Sequence, residues 1–164
     1  MTIVVGVDGS AVSIEALKWA IDEAARRGTR VDAVNAWHSD PTTTGLNRAD
    51  IIQLRPRSEV EEDQRQLLGQ AIETAGGDRT VEIRQVLLDG QPGAALVHAA
   101  RDADLLVVGS HGAGRLAEVL LGSVSSYCVH HATCPVVVIP EHRPEREQVP
   151  HTATVVPVTM GPLY

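Results

Sequence analysis

Five short apolar runs recur along this chain of 164 residues, and amphipathic stretches separate them. The runs are TIVVGV (2–7), RVDAVNAW (30–37), TVEIRQVLL (80–88), DLLVVG (104–109) and PVVVIP (135–140). Several are nearly continuous in Val, Ile and Leu, as expected of strands buried on both faces. Strands that alternate with helical patterns predict an α/β fold with a parallel sheet covered by helices on both sides. Two strand orders are common for such sheets, 3-2-1-4-5 and 2-1-3-4-5. The first is preferred, because strands one and four both end in glycine-bearing turns. The chain then reads as one domain over residues 1–140, followed by an extension, 141–164, that is first charged and then rich in Val, Thr and Pro.

The helical stretches carry their own punctuation. Ser10 suits an N-cap and Gly28 a C-terminal cap. Between them Ile14, Leu17, Ile21, Ala24 and Ala25 form an apolar face, with Trp19 toward the charged side. The second helix is expected from Ser58, with Glu61 at capping-box spacing, to the glycine pair at 76–77. Pro92 suits the first turn of the third, whose apolar face is Leu96, Ala99, Ala100 and Ala103. In the fourth, Val124, Tyr127, Cys128 and His131 are expected on one face. The stretch between strand two and the second helix is about twenty residues long, a length usually tied to function or mobility.

Composition narrows the function classes. The net charge is −7 and Lys18 is the one lysine, which argues against nucleic acid as a partner. No apolar run approaches the ~20 residues of a membrane span. The opening MTIVVGVDGS does not resemble a signal peptide, and two cysteines make no disulfide framework. A cytoplasmic protein is expected. With no Phe, two Trp and two Tyr, a flat ligand would lie between aliphatic side chains.

The stretch GSHGAGRLAEVLLGSVSS (109–126) carries the functional signal. It holds no lysine, so it is not a P-loop. GAGRLA (112–117) satisfies a dinucleotide pattern, but it stands too far from the strand for a Rossmann turn. A wider spacing fits better: Gly109 ends the strand, Gly112 follows, and Gly122-Ser123 opens a helix. Helix N-termini offer backbone N–H groups and partial positive charge to an anion. Ser123, Ser125 and Ser126 add hydroxyls, and His111 and Arg115 add further donors. Strand order 3-2-1-4-5 places Asp8, Gly9 and Ser10 across one crevice from this stretch.

G-x-x-G-x9-G-S after strand four, with VVGVDGS in strand one and CPVVVIP at the end, resembles the universal stress protein family over roughly residues 1–140. The resemblance implies the 3-2-1-4-5 sheet, an ATP site in the subgroup that carries the glycine motif, and homodimers joined through strand five (Pro135 to Pro140). It implies that Asp8 lies near base and ribose, that Gly6, Val7 and Ala36 line the adenine pocket, and that Val108 and Gly109 border base and sugar. His111, Gly112, Gly122, Ser123, Val124 and Ser125 match its phosphate-holding positions. Mg²⁺ bridging the phosphates is expected with ATP.

Other readings stand beside this one. Slow ATP hydrolysis stays open, with His111 as the one candidate base. So do cyclic AMP in place of ATP, and a protein-interaction role for strand five and the extension. Cys128 and His131, one turn apart and near His130 and Cys134, invite zinc, but structural burial is expected of them. No serine stands in a hydrolase nucleophile motif.

Overall fold

The structure, a computed structural model, describes residues 1–37, 56–76, 80–111 and 121–141. Five strands, β1 (Thr2–Gly6), β2 (Arg30–Trp37), β3 (Ile83–Asp89), β4 (Leu105–Gly109) and β5 (Val136–Ile139), form one parallel sheet in the order β3-β2-β1-β4-β5. Among the described residues four helices accompany them: α1 (Ala11–Arg27), α2 (Arg57–Ala75), α3 (Pro92–Ala99) and α4 (Ser123–His131).

Alternation along the central strands explains their continuous apolar character. Ile3 and Val5 of β1, and Leu105 and Val107 of β4, face a core filled by Ala16, Leu17, Ala20 and Ile21 of α1 and Leu68 and Ala71 of α2. Val4, Leu106 and Val108 face the opposite way, onto Leu96 of α3, Ala100 just beyond it, and Cys128 of α4. Both faces of these strands are dry, so neither can carry a polar residue cheaply. Register between the two is Ile3 to Leu105, Val4 to Leu106 and Val5 to Val107.

Local chemistry sets the helix ends. Ser10 caps α1, accepting the Ser13 N–H at 3.2 Å, a contact worth about 1 kcal/mol in comparable helices. Gly28 closes the helix in the left-handed conformation, with φ of 63°. Pro92 opens α3 as expected.

Several expected details are corrected. The capping box on Ser58 does not form. Helix α2 starts one residue earlier, after Pro56, so Ser58 lies inside the first turn. Glu61 instead pairs with Arg65 at 3.0 Å. Strand β3 begins at Ile83 and not at residue 80, and β1 ends at Gly6. On α1, Ala25 is exposed and Val12, Ala16 and Ala20 complete the buried face. On α4 the buried face is Ser125 and Cys128. Tyr127 and His131 are exposed and stack on each other at 4.0 Å. Trp19 is half-buried and packs against the core.

Cys128 is fully buried beneath α4, and burial pushes its thiol up from 9.0 to about 11. The unfolded chain releases this proton near pH 9 and the folded chain holds it to about 11. The folded state therefore loses stability as pH climbs through that window. Cys134, half-buried, is raised in the same direction by burial. Urea titrations across the window should show a shallower loss of stability in Cys128→Ala than in wild type. Equal slopes would contradict the buried-thiol account.

Candidate functional site

β1 pairs with β2 on one side and β4 on the other, so the chain leaves the carboxyl ends of β1 and β4 toward opposite helical layers. A crevice opens there, where ligands of open α/β sheets bind. Two turns build its walls.

The first turn follows β1. Val7 is held to β2 by its N–H to the Val34 carbonyl at 2.8 Å, and its own carbonyl accepts from Asn35 Nδ2 at 2.8 Å. Asp8 then folds the chain over itself: its Oδ1 accepts from the Ser10 amide at 3.0 Å and the Ser10 hydroxyl at 2.6 Å. Such an Asx turn fixes the carboxylate at the head of α1. Gly9 between them has φ of +82°, which L side chains rarely adopt. Ser13 closes the turn, donating to the Ser10 carbonyl at 2.9 Å and accepting the Asp8 amide at 3.3 Å.

The second turn follows β4 and centres on Ser110, which is 6% exposed. Its amide donates to the Ile139 carbonyl of β5 at 2.7 Å. Its carbonyl accepts the Gly122 amide at 2.7 Å and the Ser125 hydroxyl at 2.9 Å. Its hydroxyl accepts the Glu141 amide at 3.1 Å and lies 3.1 Å from His111 Nδ1. The start of α4 is thereby seated against the end of β4. Gly122 permits that approach, since a Cβ there would lie 3.2 Å from the Ser110 carbonyl oxygen. A Cβ at Gly109 would stand 2.8 Å from Val12 Cγ1 and 3.1 Å from the His111 carbonyl oxygen.

The first bond inside α4 runs from the Ser126 amide to Gly122. The amides of Ser123, Val124 and Ser125 precede it, as the leading N–H groups of any helix do. With the helix dipole they make an anion-favouring end. The Ser125 hydroxyl, expected as a further donor to a ligand, is committed to the Ser110 and Gly122 carbonyls instead. What Ser125 has for a ligand is its amide.

The two turns enclose a cavity of about 270 Å³. Gly6, Val7, Asp8, Ala36, Val108, Gly109, His111, Gly122, Ser123, Val124 and Ser125 all line it. Gly112 and Arg115 lie outside the described residues. Ser13, Val34, Pro92 and Leu96 also line it, and sequence reasoning did not name them for the site. Val34 and Leu96 had already been assigned to strand and core. Their place at the cavity follows from α3 packing across β2 and β1, which no local pattern announces. Together Val34, Pro92, Leu96 and Val108 give the cavity an aliphatic wall suited to a flat apolar ring. Donors and a carboxylate stand at its rim. Among the described residues no three His, Cys, Asp or Glu side chains converge to hold a metal ion.

The chain is 38% identical over 139 residues to a universal stress protein of Mycobacterium tuberculosis, a match that spans 83% of this chain and 44% of the relative. It is 36% identical over 143 residues to one of Mycolicibacterium smegmatis, spanning 85% of this chain and 45% of the relative. The chain thus spans less than half the length of these relatives. A universal stress protein solved in complex with cAMP is similar at a TM-score of 0.58 and 27% identity, over 85% of this chain and 95% of that one. One from Archaeoglobus fulgidus solved with dAMP is similar at 0.57 and 26%, over 85% and 97%. A third, from Lactobacillus plantarum, shares the fold at 0.68 and 24% identity, over 85% and 97%. The profile of the universal stress protein family matches residues 1–140, and the chain belongs to that family.

Proposed function

We propose that the cavity between β1 and β4 binds an adenine nucleotide, ATP above all, and that the protein acts in the cytoplasm as a nucleotide-dependent sensor or effector in stress response. The observation that carries this reading is the pair of hydrogen bonds accepted by the Ser110 carbonyl, from the Gly122 amide and the Ser125 hydroxyl, which sets the head of α4 beside the end of β4. An anionic group at the mouth would meet the amides of Ser123 to Ser125 and the ring of His111. A base would lie against Val34, Leu96 and Val108, near Ala36, with Asp8 toward the ribose. The cavity is near the lower end of the ~300–1,000 Å³ usual for ligand sites, which suits a nucleoside with its phosphates at the rim. The cAMP and dAMP complexes of the structural relatives support an adenine nucleotide.

Mg²⁺ would accompany ATP on its phosphates, where it neutralises charge. Equilibrium dialysis with ATP, and separately with cAMP, tests the reading. Gly122→Trp should weaken binding by about tenfold or more, ~1.4 kcal/mol, because its side chain must fill space beside the Ser110 carbonyl. Wild-type protein that binds no better than this variant would remove the proposal. Tighter binding of cAMP than of ATP would change the ligand and keep the site.

The assembly is proposed to be a homodimer through β5. That strand is the sheet edge, and all four of its residues are half-buried. The Pro135 carbonyl accepts from Leu106 of β4 and the Ile139 carbonyl from Ser110 just beyond it, so by alternation Val136 and Val138 present their N–H groups outward, as a template for another strand. Light scattering should give wild type twice the 17.5 kDa mass of one chain. Val138→Pro, which removes an outward N–H, should shift it to the mass of one chain. A wild-type protein at the single-chain mass would contradict the dimer.

A further inference from the structure

Asn35 is 3% exposed near the carboxyl end of β2, beside two residues of the cavity wall, Val7 and Ala36. The orientation of its amide is settled by its partner. The Val7 carbonyl can only accept, so the nitrogen of Asn35 must face it, and it does so at 2.8 Å. The other end of the amide is left stranded. Oδ1 is buried, and among the described residues it has no hydrogen-bond partner. A buried acceptor left unpaired is destabilising, so stability alone does not account for an asparagine here.

The hydrogen-bond ladder gives the residue another role. β2 turns the main chain of its odd-numbered residues toward β3: the Val31 amide donates to the Glu82 carbonyl at 2.9 Å, and the Trp37 carbonyl accepts from Gly90 at 2.9 Å. It turns that of Val34 toward the first strand, where the Val7 amide donates to the Val34 carbonyl at 2.8 Å. By the same alternation the next rung would run from the Ala36 amide to the Val7 carbonyl. That rung is missing. Pairing stops at Gly6 with Val34, and the Asn35 side chain holds the carbonyl instead. We infer that Asn35 is a positioning residue for the ligand site: its side-chain amide takes the Val7 carbonyl out of the ladder, so that β1 and β2 part there and the cavity opens between Val7 and Ala36. Asn35 acts through these two residues and not on the ligand. That the cavity takes a nucleotide rests on the reading proposed above; the missing rung does not.

Amide hydrogen exchange on the full-length protein tests the rung with no ligand present. Asn35→Leu keeps the bulk and frees the Val7 carbonyl for Ala36, whose amide should then exchange about tenfold more slowly than in wild type. An unchanged Ala36 rate overturns the inference. Dialysis with adenosine and with ATP then reads the cavity. Asn35→Leu should lose about tenfold in affinity for both, the scale of one hydrogen-bonded contact, with its urea midpoint no lower than that of wild type. Affinity kept, or lost only together with stability, is the mark of a merely structural role and overturns it. Asn35→Asp reads the same atoms in another way. Its carboxyl donates to the Val7 carbonyl when protonated and repels it when ionised. Adenosine affinity relative to wild type, a ratio in which shared titrations cancel, should fall about tenfold between about pH 4 and about pH 9, the range in which buried carboxyls titrate; a flat ratio overturns the inference. Should wild type bind neither ligand, the nucleotide reading falls, and the exchange rate of Ala36 still decides the rung.

Discussion

The carbonyl of Ser110 is the point on which the site depends. It takes the Gly122 amide and the Ser125 hydroxyl together, and so joins segments that are distant in sequence. It holds the head of α4 against the end of β4, while Cys128 further along the helix packs in the core with Leu106 and Val108. The join works because Gly122 has no side chain to hold the backbones apart. It also works because Ser125, facing inward beside Cys128 on α4, finds a buried partner for its hydroxyl. The polar interior of the turn is satisfied by the protein itself, and the helix amides are left to face outward.

Around that join the sheet acts as a rigid frame. β1 and β4 are buried on both faces and paired in register, so the Asp8 turn and the Ser110 turn cannot move independently. One turn offers a carboxylate held by Ser10; the other offers helix amides and His111. The wall between them is aliphatic, as a chain without Phe requires. A site of this kind favours recognition by shape and charge over stacking on aromatic rings.

Much of this was legible in the sequence because it depends on local repetition. The apolar runs gave away strands buried on both faces, and Gly109 and Gly122 stood out by spacing and by their place in the βα order. What was not legible came from contacts between distant residues or from competing local signals. Pro92 and Leu96 reach the cavity because α3 lies across β1 and β2. Ser110 reads as one more small polar residue in a glycine-rich stretch until β5 and Glu141 fold against it. Ser58 had the right partner for a cap, but Pro56 started the helix earlier. Tyr127 and His131 share a stripe with Cys128 by spacing, yet the stripe that is buried is turned about one residue onward, through Ser125 and Cys128.

The central claim is that the crevice between β1 and β4 holds a nucleotide with its phosphates on the head of α4. Amide chemical shifts of ¹⁵N-labelled protein, followed during titration with ATP, test it most directly. The account predicts saturable shifts concentrated at Gly109, His111 and Gly122 to Ser125, with smaller ones at Val7 and Asp8. Shifts confined to other parts of the sheet, or none at saturating ATP, would contradict it.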